Sequence, residues 1–211
     1  MSESKALTEY LEKRSRPRCS YLVIDNFLSN PHETRKYILT QDFPVSGNYP
    51  GRRTKSFATE GIKDLIQQFV QPFAGKITYF PIGEKDGENY NGAFQYTTSR
   101  DRSWIHTDSW NNWAGVLYLT PDAPHSGGTG IFRHKETGVT TEQEAKLRGL
   151  DEKLGTQSQD YTAWEQIDTV GNVFNRLILF DATQYHASLD YFGTNMENSR
   201  LFQTFFFSTE R

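Results

Sequence analysis

Two histidines and one aspartate have the types and the spacing of a metal site. His106 and Asp108 lie two residues apart, and His186 follows much later in the chain. On an extended segment, residues i and i+2 point the same way, so His106 and Asp108 can reach one ion. Two imidazoles and one carboxylate on one face of an octahedron leave three adjacent positions open, as non-haem Fe(II) sites require. A surface histidine beside an exposed aspartate is the common explanation of an isolated His-x-Asp, so the surrounding elements must decide.

The elements that must position these residues have the pattern of a β-rich protein. Aromatic residues make up 14% of the chain, with 15 Phe and 11 Tyr, and aromatic side chains are enriched in strands. From Ala93 onward, short apolar segments alternate with turns, which predicts eight strands followed by turn residues and favours a sandwich or jelly roll. We expect the strands near 92–98, 103–108, 114–119, 129–134, 166–170, 175–181, 184–189 and 200–208.

Helices are expected to flank the strands on the N-terminal side. Pro31, preceded by Ser29 or Asn30 as a cap, predicts a helix that runs to about Gln41. A second helix, from about Glu60 to Phe73, is predicted by apolar residues at spacings of three and four: Ile62, Leu65, Ile66, Phe69 and Val70.

The chain is expected to form one domain behind a short tail. We assign residues 1–20 to a polar N-terminal tail and residues 21–211 to a single domain whose jelly-roll core spans about 90–208. An insertion at about 136–164 interrupts this core, and an insertion this long is often functional or mobile. Together with the loop Tyr49–Arg53 it is the expected gate for a substrate. A plain surface loop explains Tyr49–Arg53 equally well.

Composition excludes several classes of function. A formal charge of -3 and a pI near 6.0 give no reason to propose nucleic-acid or membrane binding. The single cysteine, Cys19, excludes an internal disulfide. The N-terminus has no apolar segment of signal-peptide length. We therefore expect a cytoplasmic protein, and the sequence indicates no oligomeric state.

An arginine follows the second histidine at the start of a strongly apolar segment. Arg200 lies 14 residues beyond His186 and opens the predicted strand 200–208. An arginine there can point inward only if an anion meets it, and its planar guanidinium suits a carboxylate. An edge-strand arginine that reaches solvent is the alternative.

These residues in their order resemble the Fe(II)/2-oxoglutarate-dependent oxygenases, and within them the prolyl-4-hydroxylase-like branch. The resemblance rests on His106-x-Asp108, Tyr118-Leu119-Thr120, Gly127-Gly128-Thr129, His186 and Arg200. It covers about residues 90–208 and, more loosely, the opening segment Val23–Leu28. It implies a mainly β protein with flanking helices, folded as a double-stranded β-helix of the jelly-roll or cupin-like kind.

The resemblance also implies roles for individual residues. His106, Asp108 and His186 would be the iron ligands, and Arg200 would bind the distal carboxylate of 2-oxoglutarate. Further cofactor-binding candidates are Tyr96 and Tyr118, although a simply packed aromatic ring is the alternative for Tyr118.

The implied reaction consumes O2 and 2-oxoglutarate, releases succinate and CO2, and hydroxylates a peptide or a small molecule. Asp108 favours hydroxylation, since halogenating relatives have a small residue where this carboxylate stands. The chain departs from the prolyl hydroxylases by having arginine in place of lysine at Arg200 and no glycine between Tyr96 and His106. Both departures leave the cofactor in place and put a prolyl substrate in doubt.

Two other interpretations remain open at this point. A cupin-like metalloenzyme could bind its metal without 2-oxoglutarate, but it would give Arg200 no assigned partner. A non-enzymatic jelly-roll binding module would leave His106 and His186 in purely structural roles.

Overall fold

The computed structural model describes residues 3–15, 18–83 and 90–210. Helices and strands of this part of the chain, in sequence order, are α1 (Glu3–Arg14), β1 (Tyr21–Ile24), α2 (Pro31–Ile38), β2 (Arg52–Ser56), α3 (Glu60–Ala74), β3 (Ile77–Tyr79), β4 (Ala93–Thr97), β5 (Trp113–Tyr118), β6 (Thr129–His134), α4 (Glu142–Leu147), α5 (Asp151–Thr156), β7 (Trp164–Val170), β8 (Leu177–Asp181), β9 (His186–Ser188) and β10 (Arg200–Thr209).

The strands form two antiparallel sheets. The major sheet has the order β1-β8-β5-β10-β4-β2, with β3 added to β10, and the minor sheet has the order β7-β6-β9. In the centre of the major sheet, Phe202 of β10 pairs with Tyr118 of β5 on one side and with Gln95 of β4 on the other. This arrangement confirms the predicted mainly β class with flanking helices.

Side chains of β10 alternate between two apolar environments, because successive residues of a strand point to opposite faces. Leu201 and Phe205 are fully buried in the outer cluster, where they meet Ile66 and Val70 of α3. Phe202 and Phe206 point the other way, into the space between the two sheets. Burial of the outer face under helices holds the sheet in place, and each fully buried large apolar side chain contributes about 1.5–3 kcal/mol.

Helix α3 begins and ends where the sequence provides capping residues. The Thr59 hydroxyl accepts a hydrogen bond from the Ile62 amide at 3.2 Å, which satisfies one of the free amides of the first turn. Gly75 ends the helix at φ +78°, a conformation that glycine adopts without strain. The predicted helix from Glu60 to Phe73 is confirmed within one residue.

One predicted strand is absent. Residues 103–108 form no ladder, and their backbone instead contacts three separate neighbours. The Ile105 amide donates to Ser158, His106 pairs with His186 in an isolated bridge, and the Asp108 amide donates to Ala182. The segment ends at Asp108 in residues that favour turns, namely Ser109, Asn111 and Asn112. The sequence of residues 103–108 therefore predicted a regular strand, whereas in the structure only His106 of this segment forms a β-bridge.

The insertion at 136–164 forms a packed layer rather than an open loop. It contains α4 and α5, and its apolar side chains Val139, Ala145, Leu154 and Trp164 are almost fully buried. They pack in the same cluster as Ile105. The insertion therefore supports the segment that carries His106 and Asp108.

The N-terminal segment is attached to the body of the protein. Helix α1 buries Tyr10, whose hydroxyl hydrogen-bonds with the Thr141 hydroxyl. Arg14 and Arg18 both form ion pairs with Asp181, at 3.5 Å and 2.9 Å. Residues 1–2 and 16–17 of the expected tail lie outside the described residues. Among the described helices, none has the length and the apolarity that a membrane crossing requires.

Candidate metal centre and adjoining cavity

His106, Asp108 and His186 converge on one point. One ligand atom from each residue lies within 4.8 Å of the other two. The Asp108 Oδ2 atom is 3.2 Å from His186 Nε2, and Asp108 Oδ1 is 3.9 Å from His106 Nε2. A paired backbone contact fixes this geometry, since the His106 and His186 amides each donate to the other residue's carbonyl at 2.9 Å and 2.8 Å. The arrangement can hold a metal ion with two imidazoles and one carboxylate.

Both imidazole rings are held in the tautomer that metal binding requires. The Nδ1 atom of His106 donates to the Trp104 carbonyl at 2.9 Å, and that of His186 donates to the Gln184 carbonyl at 2.9 Å. A carbonyl oxygen can only accept, so each Nδ1 carries a proton, and each ring presents the Nε2 lone pair when it is neutral. Hydrogen bonds of this kind orient metal-binding histidines and raise their basicity.

Electrostatics at the site favour the unprotonated ligands. Burial among the surrounding walls and the neighbouring His186 hold the pKa of His106 below its usual value. Burial alone would raise the pKa of Asp108, but the hydrogen bond and charge of His186, with the charges of His106 and Arg53, bring that pKa below its usual value. Near neutral pH the site therefore presents a neutral His106 and an ionised Asp108.

A cavity of about 370 Å³ opens beside the three ligands. It lies between the sheets, with Val116 and Thr204 of the major sheet on one side and Thr129 and Ser188 of the minor sheet on the other. Its walls are rich in aromatic side chains: Tyr49, Tyr90, Trp104, Trp110, Tyr191 and Phe206. Polar side chains, among them Arg53 and Gln95, complete the lining, and a cavity of this size is typical of small-molecule sites.

Arg200 points inward and is fully buried, but it stands just outside the cavity. Its Nε and Nη2 atoms donate to the Gly127 and Gly128 carbonyls at 2.7 Å and 3.3 Å. The third nitrogen, Nη1, has no hydrogen bond of normal geometry. Two aromatic rings that line the cavity, Phe202 and Tyr191, lie 4.4 Å and 5.9 Å from the guanidinium carbon. One donor of Arg200 therefore remains available to an anion that passes these rings.

Tyr118 lies beside Arg200 and is also fully buried. Its hydroxyl hydrogen-bonds with the Thr129 hydroxyl at 2.7 Å, and its ring lies 5.4 Å from the Arg200 guanidinium carbon. Burial raises the pKa of Tyr118, against the lowering effect of Arg200. Tyr118 therefore connects the arginine to Thr129, which does line the cavity.

Tyr96 does not line the cavity, and its contact with the co-substrate stays a prediction. It packs against Phe43 in the outer cluster, with ring centroids 5.1 Å apart. The neighbouring residue Gln95 takes the cavity-facing position on β4. Adjacent residues of a strand face opposite sides of the sheet, so a shift of one position exchanges the two roles.

Arg53 belongs to the loop that the sequence predicted as a gate, although no binding role was assigned to it. This arginine lines the cavity and is only 8% exposed. Burial lowers the pKa of Arg53 to about 10, against the opposing effects of Tyr49 and Asp108, so the side chain is charged at neutral pH. The loop Tyr49–Arg53 thus contributes to the cavity wall. The two adjacent arginines and the Tyr-Pro-Gly turn were the only signals of this role in the sequence.

Gly51 allows this loop to lie against β4. Its φ is +75°, and a Cβ atom there would lie 1.9 Å from the Tyr96 carbonyl oxygen. We expect Gly51→Ala to lower the free energy of unfolding by more than about 1 kcal/mol, because both the backbone conformation and the close approach oppose a side chain. Urea denaturation measures the effect. Gly61→Ala in α3 is the matched control, since its nearest contact would be 3.9 Å away, and an equal effect in both variants would contradict the described loop.

Sequence comparison identifies a family for most of the chain. Residues 8–190 match the profile of a family described as "Family of unknown function (DUF6445)". The matched segment includes His106, Asp108 and His186 and ends before Arg200. No curated protein sequence matches the chain significantly.

Structural comparison identifies the fold. HygX from Streptomyces hygroscopicus, with nickel, 2-oxoglutarate and hygromycin B bound, is 13% identical, with a TM-score of 0.61 over 90% of this chain and 83% of that one. A prolyl hydroxylase from Trichoplax adhaerens, in complex with a hypoxia-inducible-factor peptide, is 12% identical, with a TM-score of 0.53 over 99% of this chain and 91% of that one. The non-haem α-ketoglutarate-dependent epimerase SnoN from nogalamycin biosynthesis is 13% identical, with a TM-score of 0.50 over 95% and 80%.

These proteins share the two-sheet arrangement of this chain, which confirms the predicted double-stranded β-helix. The chain belongs to the family of unknown function DUF6445 and has the double-stranded β-helix fold of the Fe(II)/2-oxoglutarate-dependent oxygenases.

Proposed function

We propose that the protein is a non-haem Fe(II)- and 2-oxoglutarate-dependent dioxygenase that hydroxylates a small molecule or a peptide. The observation that carries this proposal is the convergence of His106, Asp108 and His186 within 4.8 Å at the edge of a cavity. The donor set fits Fe(II), since two imidazoles and one carboxylate on one face leave room for a co-substrate and O2. The solved structures of similar fold include one with nickel and 2-oxoglutarate bound.

Each ligand residue would have a defined part in the reaction. His106 and His186 would bind the metal through Nε2, because their Nδ1 atoms are engaged by backbone carbonyls. Asp108 would supply the negative charge and would bind the metal through its carboxylate, one oxygen of which lies 3.2 Å from His186 Nε2. Bound Fe(II) supplies the redox chemistry that couples oxidation of 2-oxoglutarate to succinate and CO2 with insertion of one oxygen atom of O2 into the substrate.

Arg200 would hold the distal carboxylate of 2-oxoglutarate through the guanidinium edge that carries Nη1. Its two bonds to the Gly127 and Gly128 carbonyls fix the direction of this edge, so little side-chain entropy is lost on binding. Tyr118 and Thr129 would complete this end of the site as hydroxyl partners. The aromatic walls would exclude water from the reacting atoms.

Two observations favour a second candidate, a cupin-like metalloenzyme that does not use 2-oxoglutarate. From the sequence alone, Arg200 had no partner under that interpretation, whereas in the structure it donates to two backbone carbonyls. Arg200 also stands outside the residues that line the cavity. A structural arginine would satisfy both observations without any co-substrate.

Consumption of 2-oxoglutarate separates the two candidates. Purified protein supplied with Fe(II), O2 and 2-oxoglutarate is expected to release succinate and CO2 in equal amounts, and to do so slowly without substrate. His186→Ala is the negative control, and His32→Ala, which changes an exposed histidine of α2, should keep the wild-type rate. Metal binding without any succinate would contradict the dioxygenase and favour the cupin-like enzyme.

A further inference from the structure

Arg53 is a buried cation that forms no ion pair with the acidic side chains that the structure describes. Its Nε atom donates to Gln95 Oε1 at 2.5 Å. Within residues 3–15, 18–83 and 90–210, no hydrogen bond or ion pair involves either of its terminal nitrogens. Burying a charge costs several kcal/mol unless it is paired. The guanidinium is thus prepared for an anion that the described chain does not supply.

Two aromatic rings lie close to this guanidinium. Its central carbon lies 3.7 Å from the Tyr49 ring centroid and 4.9 Å from that of Tyr90. Both tyrosines line the cavity together with Arg53. Rings in these positions stabilise the cation, and the two terminal nitrogens remain as a planar fork of donors.

A second unpaired group lies at the same place. The Tyr49 hydroxyl is buried and has no hydrogen-bond partner in the part of the chain that the structure describes. Buried hydroxyls without a partner are rare in folded proteins and indicate a missing ligand or water. An anion beside Arg53 would satisfy this hydroxyl and the guanidinium together.

Gln95 holds the loop and the arginine in one arrangement. Its Oε1 accepts from Arg53, and its Nε2 donates to the Pro50 carbonyl at 2.5 Å. The same amide group therefore fixes both the side chain and the backbone that carries it. A donor fixed in this way loses little entropy when a ligand binds.

Asp108 does not supply the missing negative charge. It acts on Arg53 through space, but it makes no ion pair with Arg53 within 4.0 Å, whereas it lies 3.2 Å from His186. In the proposed metal site its charge would be neutralised by the metal ion. The described carboxylates therefore do not pair with Arg53, and a bound ligand would supply the anion.

Arg53 and Arg200 differ in what they offer a ligand. Arg200 uses two of its three nitrogens on backbone carbonyls, whereas Arg53 uses one and lines the cavity. A carboxylate that accepts two parallel hydrogen bonds matches the free fork of Arg53. The remainder of such a ligand would lie against Trp104 and Trp110, and the Trp110 side chain is exposed at the rim.

We propose that Arg53, with Tyr49, binds the carboxylate of the primary substrate, an aromatic carboxylic acid whose ring lies against the tryptophans of the cavity. This proposal deepens the proposed function, on which it rests for the reaction, and assigns the co-substrate to Arg200. The substrate enters with its carboxylate towards β2, and its ring is then presented to the metal ligands.

Calorimetric titration of anaerobic protein loaded with Fe(II) and 2-oxoglutarate tests this assignment. Phenylacetate and indole-3-acetate are the probes, and their amides are the uncharged counterparts. We expect each acid to bind at least about tenfold more tightly than its amide, which corresponds to about 1.4 kcal/mol. Arg53→Met should remove this preference, and Arg53→Lys, which keeps the charge without the fork, should retain part of it.

Arg52→Met is the matched control, since Arg52 is the exposed neighbour on the same strand, and it should keep the full preference. Equal binding of acid and amide to the wild type, or binding of neither, would overturn the proposal. The proposal would also be overturned if Arg53→Met weakened the binding of 2-oxoglutarate as much as Arg200→Met does, because Arg53 would then anchor the co-substrate. The protein could also prefer the acid through Arg53 and yet fail to bind 2-oxoglutarate. That result would support the anion site and reject the dioxygenase.

Discussion

Fe(II) binding is expected to fall by at least about 100-fold when Asp108 or His186 is replaced by alanine, and turnover should disappear with it. Loss of a group that only supports a ligand already costs about 10–100-fold in metal affinity, and here a ligand itself is lost. Asp108 is also the one carboxylate of the described cluster. Without it, two neutral imidazoles would hold a divalent ion, and no negative charge would offset the desolvation of that ion.

Titration of the anaerobic protein with Fe(II), monitored by calorimetry, measures this loss of affinity. Asp42→Ala and His32→Ala are matched controls, because both side chains are exposed and lie outside the metal site. Circular dichroism of each variant separates loss of the metal from loss of the fold. Wild-type affinity in either ligand variant would show that the metal binds elsewhere.

Arg200→Met is expected to raise the 2-oxoglutarate concentration needed for half-saturation by roughly 30-fold or more. Removing one partner of a buried, hydrogen-bonded charge pair costs about 2–5 kcal/mol of binding free energy. The same change removes two hydrogen bonds to the Gly127 and Gly128 carbonyls, so the free energy of unfolding should also fall by about 1–3 kcal/mol. The two carbonyls keep their other donors, the Asn172 side chain and the Leu189 amide. Arg200→Lys, which keeps the charge, should recover part of the affinity.

These two effects must be measured separately, by titration with 2-oxoglutarate and by urea denaturation. Arg133→Met is the control, since Arg133 is an exposed residue of β6 that pairs with Glu165 on the surface. A variant that loses stability but binds 2-oxoglutarate normally would make Arg200 a structural residue. That result would favour the cupin-like metalloenzyme.

The strands and the three ligand residues could be predicted because their signals are local. Apolar segments between turn residues located β4, β5, β6, β8 and β10 within one or two residues. The spacing of His106 and Asp108 placed them on one side of the backbone. Their meeting with His186 depends on a single backbone bridge, which the order of the motifs suggested but no local pattern could specify.

The wall of the cavity could not be predicted, because it depends on register and on distant contacts. Whether Gln95 or Tyr96 faces inward is decided by the pairing of β4 with β10, and a shift of one residue would exchange them. Arg53 lies on the edge strand β2. The sequence of this segment is rich in arginine and polar residues and does not indicate a strand. The burial of Arg53 arises only when the loop before it closes over β4.

The packing of the insertion at 136–164 also depends on distant contacts. Its length and charged helical piece suggested a functional or mobile segment, whereas its buried residues Val139, Leu154 and Trp164 pack in one cluster with Ile105. The Ser158 carbonyl also accepts from the Ile105 amide at 2.9 Å. The segment that bears His106 and Asp108 is therefore held by the insertion on one side and by β9 on the other.

Anaerobic titration of the purified protein with Fe(II) and then with 2-oxoglutarate tests the proposed iron site and its co-substrate most directly. Chelation of iron by the keto acid produces a weak visible absorption band that neither component gives alone. We predict that this band appears with one equivalent of Fe(II), saturates with 2-oxoglutarate, and is absent from His186→Ala. Binding of Fe(II) without the band would contradict a 2-oxoglutarate-dependent enzyme, and failure to bind Fe(II) would contradict the metal site itself.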